Sequence, residues 1–404
     1  LLQDIEFARQ ALRVLAFAYR KFDSLPEEQT TENIERDMVF VGLMGMIDPA
    51  RPEAKEAIKE CKKAGIIPIM ITGDYLETAV AIAKDLGILD EHSKAIMGRE
   101  LNKMTEEEIC EVVKTTRVFA RVSPENKVQI VSALKKNGHI VAMTGDGVND
   151  APAIKRADIG VSMGITGTDV AKNTSDVILT DDNFATIVSA VHEGRIIYSN
   201  IKKFVSFLLS CNVGEILIVL ISILLNIPVP FVPIQLLWLN LVTDSFPALA
   251  LGVEKGDEDI MHVSPRNPNE PILDKEMVYS IISQSLAITT ATLVAYFYGM
   301  YHYPNHIEGA RTVAFFTLIT AELLRSYSVR SSRFTLFHIG VFSNKTLVYG
   351  TTLSFFMMLV VVYVPFLQPY FDTVSLGIKE LAVAIPLAFL PFIVAEVSKV
   401  MRKK

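Results

Sequence analysis

Thr144-Gly-Asp-Gly-Val-Asn-Asp-Ala-Pro-Ala153 follows an apolar run at residues 139–143. A strand that ends in a glycine turn puts the two acids of that turn, Asp146 and Asp150, at the carboxyl edge of a sheet. Glycine lets backbone approach a ligand closely, and carboxylates suit a hard cation such as magnesium. Working outward, the pattern recurs. Residues 66–71 run into a second Thr-Gly-Asp, at Thr72, Gly73 and Asp74. A helix follows with Ala79, Ile82, Ala83 and Leu86 on one face, and Gly87 stops it. Residues 118–122 lead into Ser123-Pro124-Glu125, a serine cap with proline at the first helical position. Residues 38–46 read as a buried strand, and Asp48-Pro49 ends it. Pro52 suits the first turn of a helix running to Lys63, and residues 159–163 and 177–179 add two more strands. Strands alternating with helices predict an α/β unit, a Rossmann-like parallel sheet covered on both faces.

One Thr-Gly-Asp by itself is an ordinary turn, and one lysine by itself is a solvated side chain. Two such turns at strand ends, with Lys127 in the first turns of a helix, form a set suited to phosphoryl transfer. That chemistry needs placed positive charge, backbone N–H groups and a magnesium ion around the moving phosphate.

The composition changes near residue 190. Of 404 residues, 50% are hydrophobic and the mean hydropathy is +0.34, high for a wholly water-soluble chain. Beyond Asn200 the apolar runs reach membrane-span length, roughly 20 residues each. Six spans are expected, near 200–226, 232–251, 278–300, 311–328, 345–366 and 378–398. Residues 183–198 read as an amphipathic helix running into the first of them, a rigid rod between the two halves. Basic residues gather in alternate loops: Lys255, Arg266 and Lys275, then Arg330, Arg333 and Lys345, then the tail Lys399, Arg402, Lys403 and Lys404. This asymmetry predicts a multi-pass protein with its soluble domain and C-terminus cytoplasmic. A net charge of −6 without a basic block argues against nucleic acid as a partner. Cys61, Cys110 and Cys211 lack metal-ligand spacing and read as reduced thiols.

Polar groups inside spans are costly and mark functional sites. Asn212 and Glu215 share a face of the first span; Asn240, Thr243 and Asp244 share one of the second. Such facing clusters suit a hard cation such as calcium, or neutral acids hydrogen-bonded between helices. Glu322, in the fourth span, is read either as a further ligand or as the partner of Arg325.

The ten residues 144–153 resemble the hinge signature of the P-type ATPases, within the haloacid-dehalogenase-like class. Met70-Ile-Thr-Gly-Asp74, Asp48-Pro-Ala-Arg51 and Ala120-Arg-Val-Ser-Pro-Glu-Asn-Lys127 resemble three more motifs of that family in order. Asn212-Val-Gly-Glu215 and Leu237-Trp-Leu-Asn-Leu-Val-Thr-Asp244 resemble the fifth and sixth spans of its sarcoplasmic-reticulum-type calcium pumps. The resemblance implies an ATP-driven calcium pump using Mg2+ and an aspartyl-phosphate intermediate. It implies magnesium at Asp146, support from Asn149 and Asp150, and phosphate held by Lys127, Thr72 and Gly73. Asp48, Asp74 and Arg121 would lie against the nucleotide. Calcium would be bound by Asn212, Glu215, Asn240, Thr243, Asp244 and Glu322. Arg325 departs from the pattern; as a neutraliser of Glu322 it predicts a single calcium per cycle.

The family's phosphorylated aspartate sits in Asp-Lys-Thr-Gly-Thr, which these residues do not contain. The expectation is a C-terminal fragment, inactive alone, whose partners are ATP, calcium, the lipid bilayer and the N-terminal part of the same pump. Residues 1–37 would be a remnant of the nucleotide-binding domain, 38–190 the phosphorylation domain and 191–404 the membrane domain. Alternatives are a pump for manganese, sodium, potassium or protons, a membrane-tethered phosphatase of the same class, and a non-catalytic membrane scaffold.

Overall fold

The computed structural model describes residue 7 and residues 12–24, 28–46 and 50–402. Asp48, expected near the nucleotide, lies outside the described residues. The chain divides into two compact units, one of residues 1–192 with 261–268 and one of residues 193–260 with 269–404.

The first unit carries eight described strands: β1 (Arg13–Tyr19), β2 (Val39–Met46), β3 (Met70–Ile71), β4 (Lys94–Met97), β5 (Thr116–Ala120), β6 (Ala142–Gly145), β7 (Ile159–Met163) and β8 (Val177–Leu179). Parallel pairing falls into two ladders, β3-β5-β4 and β6-β7-β8. The central strand of each is the most deeply buried: Val118, Phe119 and Ala120 are fully enclosed, as is Ser162. Ile71 packs against the apolar clusters of both ladders. Helices Pro52–Lys63, Leu76–Asp85, Glu106–Thr115 and Pro124–Lys136 connect the strands.

One expectation needs correction, and one strand was not foreseen. Residues 38–46 do not form a buried strand of the parallel sheet. β2 pairs antiparallel with β1, and Phe40 and Val41 are exposed. An apolar run reports affinity for a covered face, not which face covers it. Strand β4, with only four residues and a lysine at its start, gave no periodic signal.

Asp182 ties down the end of this unit. Its carboxylate accepts hydrogen bonds from the backbone N–H of Ile165 (2.9 Å) and Thr166 (2.8 Å) and from the Thr166 hydroxyl (2.8 Å). Its carbonyl accepts from Arg51 at 2.7 Å. Those amide donors, Ile165 foremost, stabilise the ionised form and hold its pKa down to about 2, against 3.8 ordinarily.

The second unit is helical. Among the described residues, five helices are long and apolar enough to cross a membrane: Phe184–Leu224, Pro233–Gly252, Lys275–His302, Lys345–Tyr363 and Ile378–Met401. The first runs unbroken for 41 residues. A further helix, Ile307–Ser328, occupies the expected fourth position but is less apolar. It packs against Lys275–His302, Lys345–Tyr363 and both parts of the last helix, so its surroundings are protein rather than lipid. Gly299 lets it approach closely: a Cβ there would lie 2.6 Å from the Ala310 backbone. Ser285 and Thr289 donate to the carbonyls of Ser210 (2.8 Å) and Gly214 (3.3 Å), binding Lys275–His302 to the long helix.

Arg330, read from sequence as a loop charge, is 1% exposed. It forms a forked ion pair with Glu254, Nε–Oε2 2.7 Å and Nη2–Oε1 3.0 Å. Asn344 donates to the same carboxylate at 2.8 Å, and Asn200 to the Glu254 carbonyl at 2.7 Å.

Two outcomes test these contacts. Because a depressed pKa stabilises only the ionised state, Asp182 supports the fold fully above pH 4 and progressively less as pH falls through about 2. Hydrogen exchange at the Ile165 and Thr166 amides should accelerate across that interval, and Asp182→Asn should remove the pH dependence. Arg330→Met leaves a buried carboxylate unpaired and should cost about 3–5 kcal/mol in unfolding experiments in detergent.

Candidate functional site

The described residues singled out by sequence lie in both units.

In the soluble unit, β3 and β6 both end at their Thr-Gly-Asp turns. Thr72 donates its backbone N–H to Phe119 at 2.9 Å and accepts from Val122 at 3.3 Å, which fixes the first turn against the end of β5. Its hydroxyl donates to Asp74 at 2.9 Å, and the Asp74 amide donates back to that hydroxyl at 3.1 Å. The Arg121 amide donates to the Asp74 carbonyl at 3.2 Å. Arg121 adopts a left-handed backbone (φ 51°) and sets its guanidinium 3.9 Å above the Tyr75 ring. Thus Thr72, Asp74 and Arg121 are brought together at one rim.

Ser123 caps the next helix as expected, accepting from the Asn126 amide at 3.3 Å, with Pro124 at its first position. That places Lys127 one turn in, where its ammonium is ion-paired to Asp150. The other Asp150 oxygen accepts from the Gly147 amide at 3.2 Å. Gly145 permits this turn: a Cβ there would stand 2.4 Å from that of Asp150. Asp146 and Asn149 are exposed on the same turn, and the Asp146 carbonyl accepts from the Thr168 amide at 2.8 Å. The result is an exposed carboxylate beside a half-buried lysine–aspartate pair.

In the membrane unit the helix Pro233–Gly252 is interrupted. A wider π turn spans Leu239–Thr243, and the Asp244 amide reaches back to the Leu239 carbonyl at 3.0 Å. Such turns insert an extra residue and re-aim side chains, and they recur at functional sites. Here the turn carries Asn240 and Thr243 and delivers Asp244 to the interior, 1% exposed. Asn240 donates to Glu215 Oε2 at 2.8 Å. Glu215 and Glu322 are buried at 6% and 0% exposure. Five oxygens of these three acids have no hydrogen-bond partner: Glu215 Oε1, both of Asp244 and both of Glu322. Asp244 and Glu322 approach each other closely, and the sulfur of Cys211 joins them, all three donors within 4.8 Å of one another.

Not every expected ligand points into this cluster. The Asn212 amide donates along its own helix to Leu208 at 2.9 Å, and the Thr243 hydroxyl to Leu239 at 2.9 Å. The Arg325 expectation is overturned. Its guanidinium turns to Ser328 (3.0 Å) and Ser280 (3.5 Å), leaving Glu322 without a counter-charge and removing the argument for a single calcium. Three residues along a helix share a face at its surface, but a long side chain chooses its own neighbours. Spacing along the chain does not reveal Cys211 as a neighbour of these acids, since Asp244 and Glu322 lie on other helices.

Residues 4–158 match the family described as haloacid dehalogenase-like hydrolase, and residues 228–401 match the family described as cation transporting ATPase, C-terminus. The chain belongs to the P-type cation-transporting ATPases. It is 49% identical to a calcium-transporting ATPase of Bacillus subtilis, over 98% of this chain and 44% of that protein. Calcium-transporting ATPase 1 of Saccharomyces cerevisiae is 38% identical over 98% of this chain and 42% of its own length. Calcium-transporting ATPase type 2C member 1 of Pongo abelii is 42% identical over 90% and 39%. The chain therefore spans less than half the length of the curated relatives it matches.

Gly145→Ala should force the turn open, break the Lys127–Asp150 pair and cost about 1–3 kcal/mol in thermal unfolding.

Proposed function

We propose that these residues form the phosphate-handling and cation-binding parts of an ATP-driven calcium pump. The observation that carries the reading is the set of five unpartnered carboxyl oxygens buried among membrane helices. Burying such oxygens is costly, and a bound cation repays that cost directly. Carboxylates with amide and hydroxyl oxygens nearby suit the 6–8 oxygen ligands that calcium takes. Glu215, Asp244 and Glu322 supply the charge, and Asn240 is already joined to Glu215. Asn212 and Thr243 complete the set by turning their side chains inward from present backbone partners. The similarity to calcium-transporting ATPases supports calcium as the ion.

In the soluble unit the donor chemistry fits Mg2+ and a phosphoryl group. Asp146 would hold Mg2+, with Asn149 and Asp150 behind it; bound there, the ion neutralises charge that develops on phosphate oxygens. Lys127 would orient the phosphate, held in place by Asp150 until it arrives. Thr72 and Gly73, in the turn after β3, would contribute a hydroxyl and a backbone amide to the phosphate. Asp74 and Arg121, and Asp48 outside the described residues, would lie along the nucleotide. The phosphorylated aspartate itself would be supplied by sequence beyond these 404 residues, as part of one longer pump.

The five apolar helices, with Ile307–Ser328 as a sixth span packed among them, would place both flanks on one side of the bilayer. The basic loops and tail favour the cytoplasmic side.

Asp244→Asn in the intact pump should abolish calcium-stimulated phosphorylation, read as acid-stable incorporation from labelled ATP. Full stimulation in that variant would refute the ligand role of Asp244.

A further inference from the structure

Cys211 stands apart from the other two cysteines. It is fully enclosed, on the helix Phe184–Leu224, and its sulfur faces carboxylates from two other helices. Asp244 comes from the far side of the π turn and Glu322 from Ile307–Ser328. All three residues are at most 1% exposed. None of the four carboxyl oxygens has a hydrogen-bond partner. The neighbouring guanidinium of Arg325 is turned away to Ser328 and Ser280, so no fixed cation occupies the charge of the pair.

Three donor atoms within 4.8 Å of one another stand close to the span a single small ion requires. Three ligands each about 2.3 Å from a shared ion lie roughly 3.8–4.0 Å apart in a tetrahedral or trigonal arrangement, so a closure of at most about 1 Å completes it. Sulfur is a poor ligand for calcium and a strong one for zinc-group ions. We propose that Cys211, Asp244 and Glu322 form a binding site for a thiophilic divalent cation of the zinc–cadmium type, inside the cage assigned above to calcium. The inference rests on that cage and adds a soft donor to it. Binding replaces the S–H bond with a sulfur–metal bond and releases the proton to solvent, while the two carboxylates supply charge. The cage is thus open to competition between a hard cation held by oxygens alone and a softer one held through sulfur.

Cadmium is the probe. The full 404-residue chain, in detergent, carries Cys61→Ala and Cys110→Ala so that Cys211 is its one thiol. Titration with Cd2+ should produce an ultraviolet thiolate-to-cadmium charge-transfer band saturating at one ion per chain. Cys211→Ser is nearly isosteric, so the fold persists; it should abolish the band and weaken Cd2+ binding by roughly tenfold or more in calorimetry. Asp244→Asn should weaken it comparably. Failure of the band to appear in the folded single-thiol chain, its survival in Cys211→Ser, or an unchanged Cd2+ affinity in Asp244→Asn overturns the proposal. Excess Ca2+ should displace the band. A band that forms as described but resists Ca2+ leaves the sulfur site standing and refutes the calcium reading instead.

Discussion

Three acids are held out of water with most of their oxygens unpartnered, and the helical unit is built around tolerating this. An isolated buried carboxylate is among the most expensive groups a fold can carry. It persists here because the surrounding helices are pinned by contacts that do not involve it. Gly299 brings two helices to close approach, Ser285 and Thr289 tie a third, and Ser354 donates to the Thr243 carbonyl at 2.8 Å beside the π turn.

The same unit shows what a satisfied buried charge looks like. Glu254 and Arg330 are as deeply enclosed as the acids, yet Arg330 and Asn344 occupy both Glu254 carboxyl oxygens. That pair consolidates structure. The acids around Asp244 have the burial without the partners, and that difference is what the proposed cation site rests on. In the soluble unit, cost is managed the other way. Asp146 stays exposed, and Lys127 is paired with the Asp150 carboxylate.

Much of this was legible beforehand. The two Thr-Gly-Asp turns, the Ser123 cap and the helix faces follow from local rules in which a few adjacent residues decide the backbone. So do the long apolar helices, whose signal is summed over many positions. The misreadings share a different cause. Residues 38–46 were assigned a burial that depends on which strand pairs with them. Helical spacing alone pairs Arg325 with Glu322, and although Arg330 lies in the expected loop, spacing cannot name its carboxylate partner 76 residues earlier in the chain.

The sequence by itself determined the class of unit on either side of residue 190, the two Thr-Gly-Asp turns and the identity of the acids within the spans. Periodicity, caps and motif order are properties of neighbours along the chain. Only the tertiary structure decided that Cys211 meets Asp244 and Glu322, that Arg325 turns away, and that Ile307–Ser328 is enclosed by other helices. Those facts depend on side-chain direction and on contacts between residues far apart in sequence, where spacing along one helix carries no information.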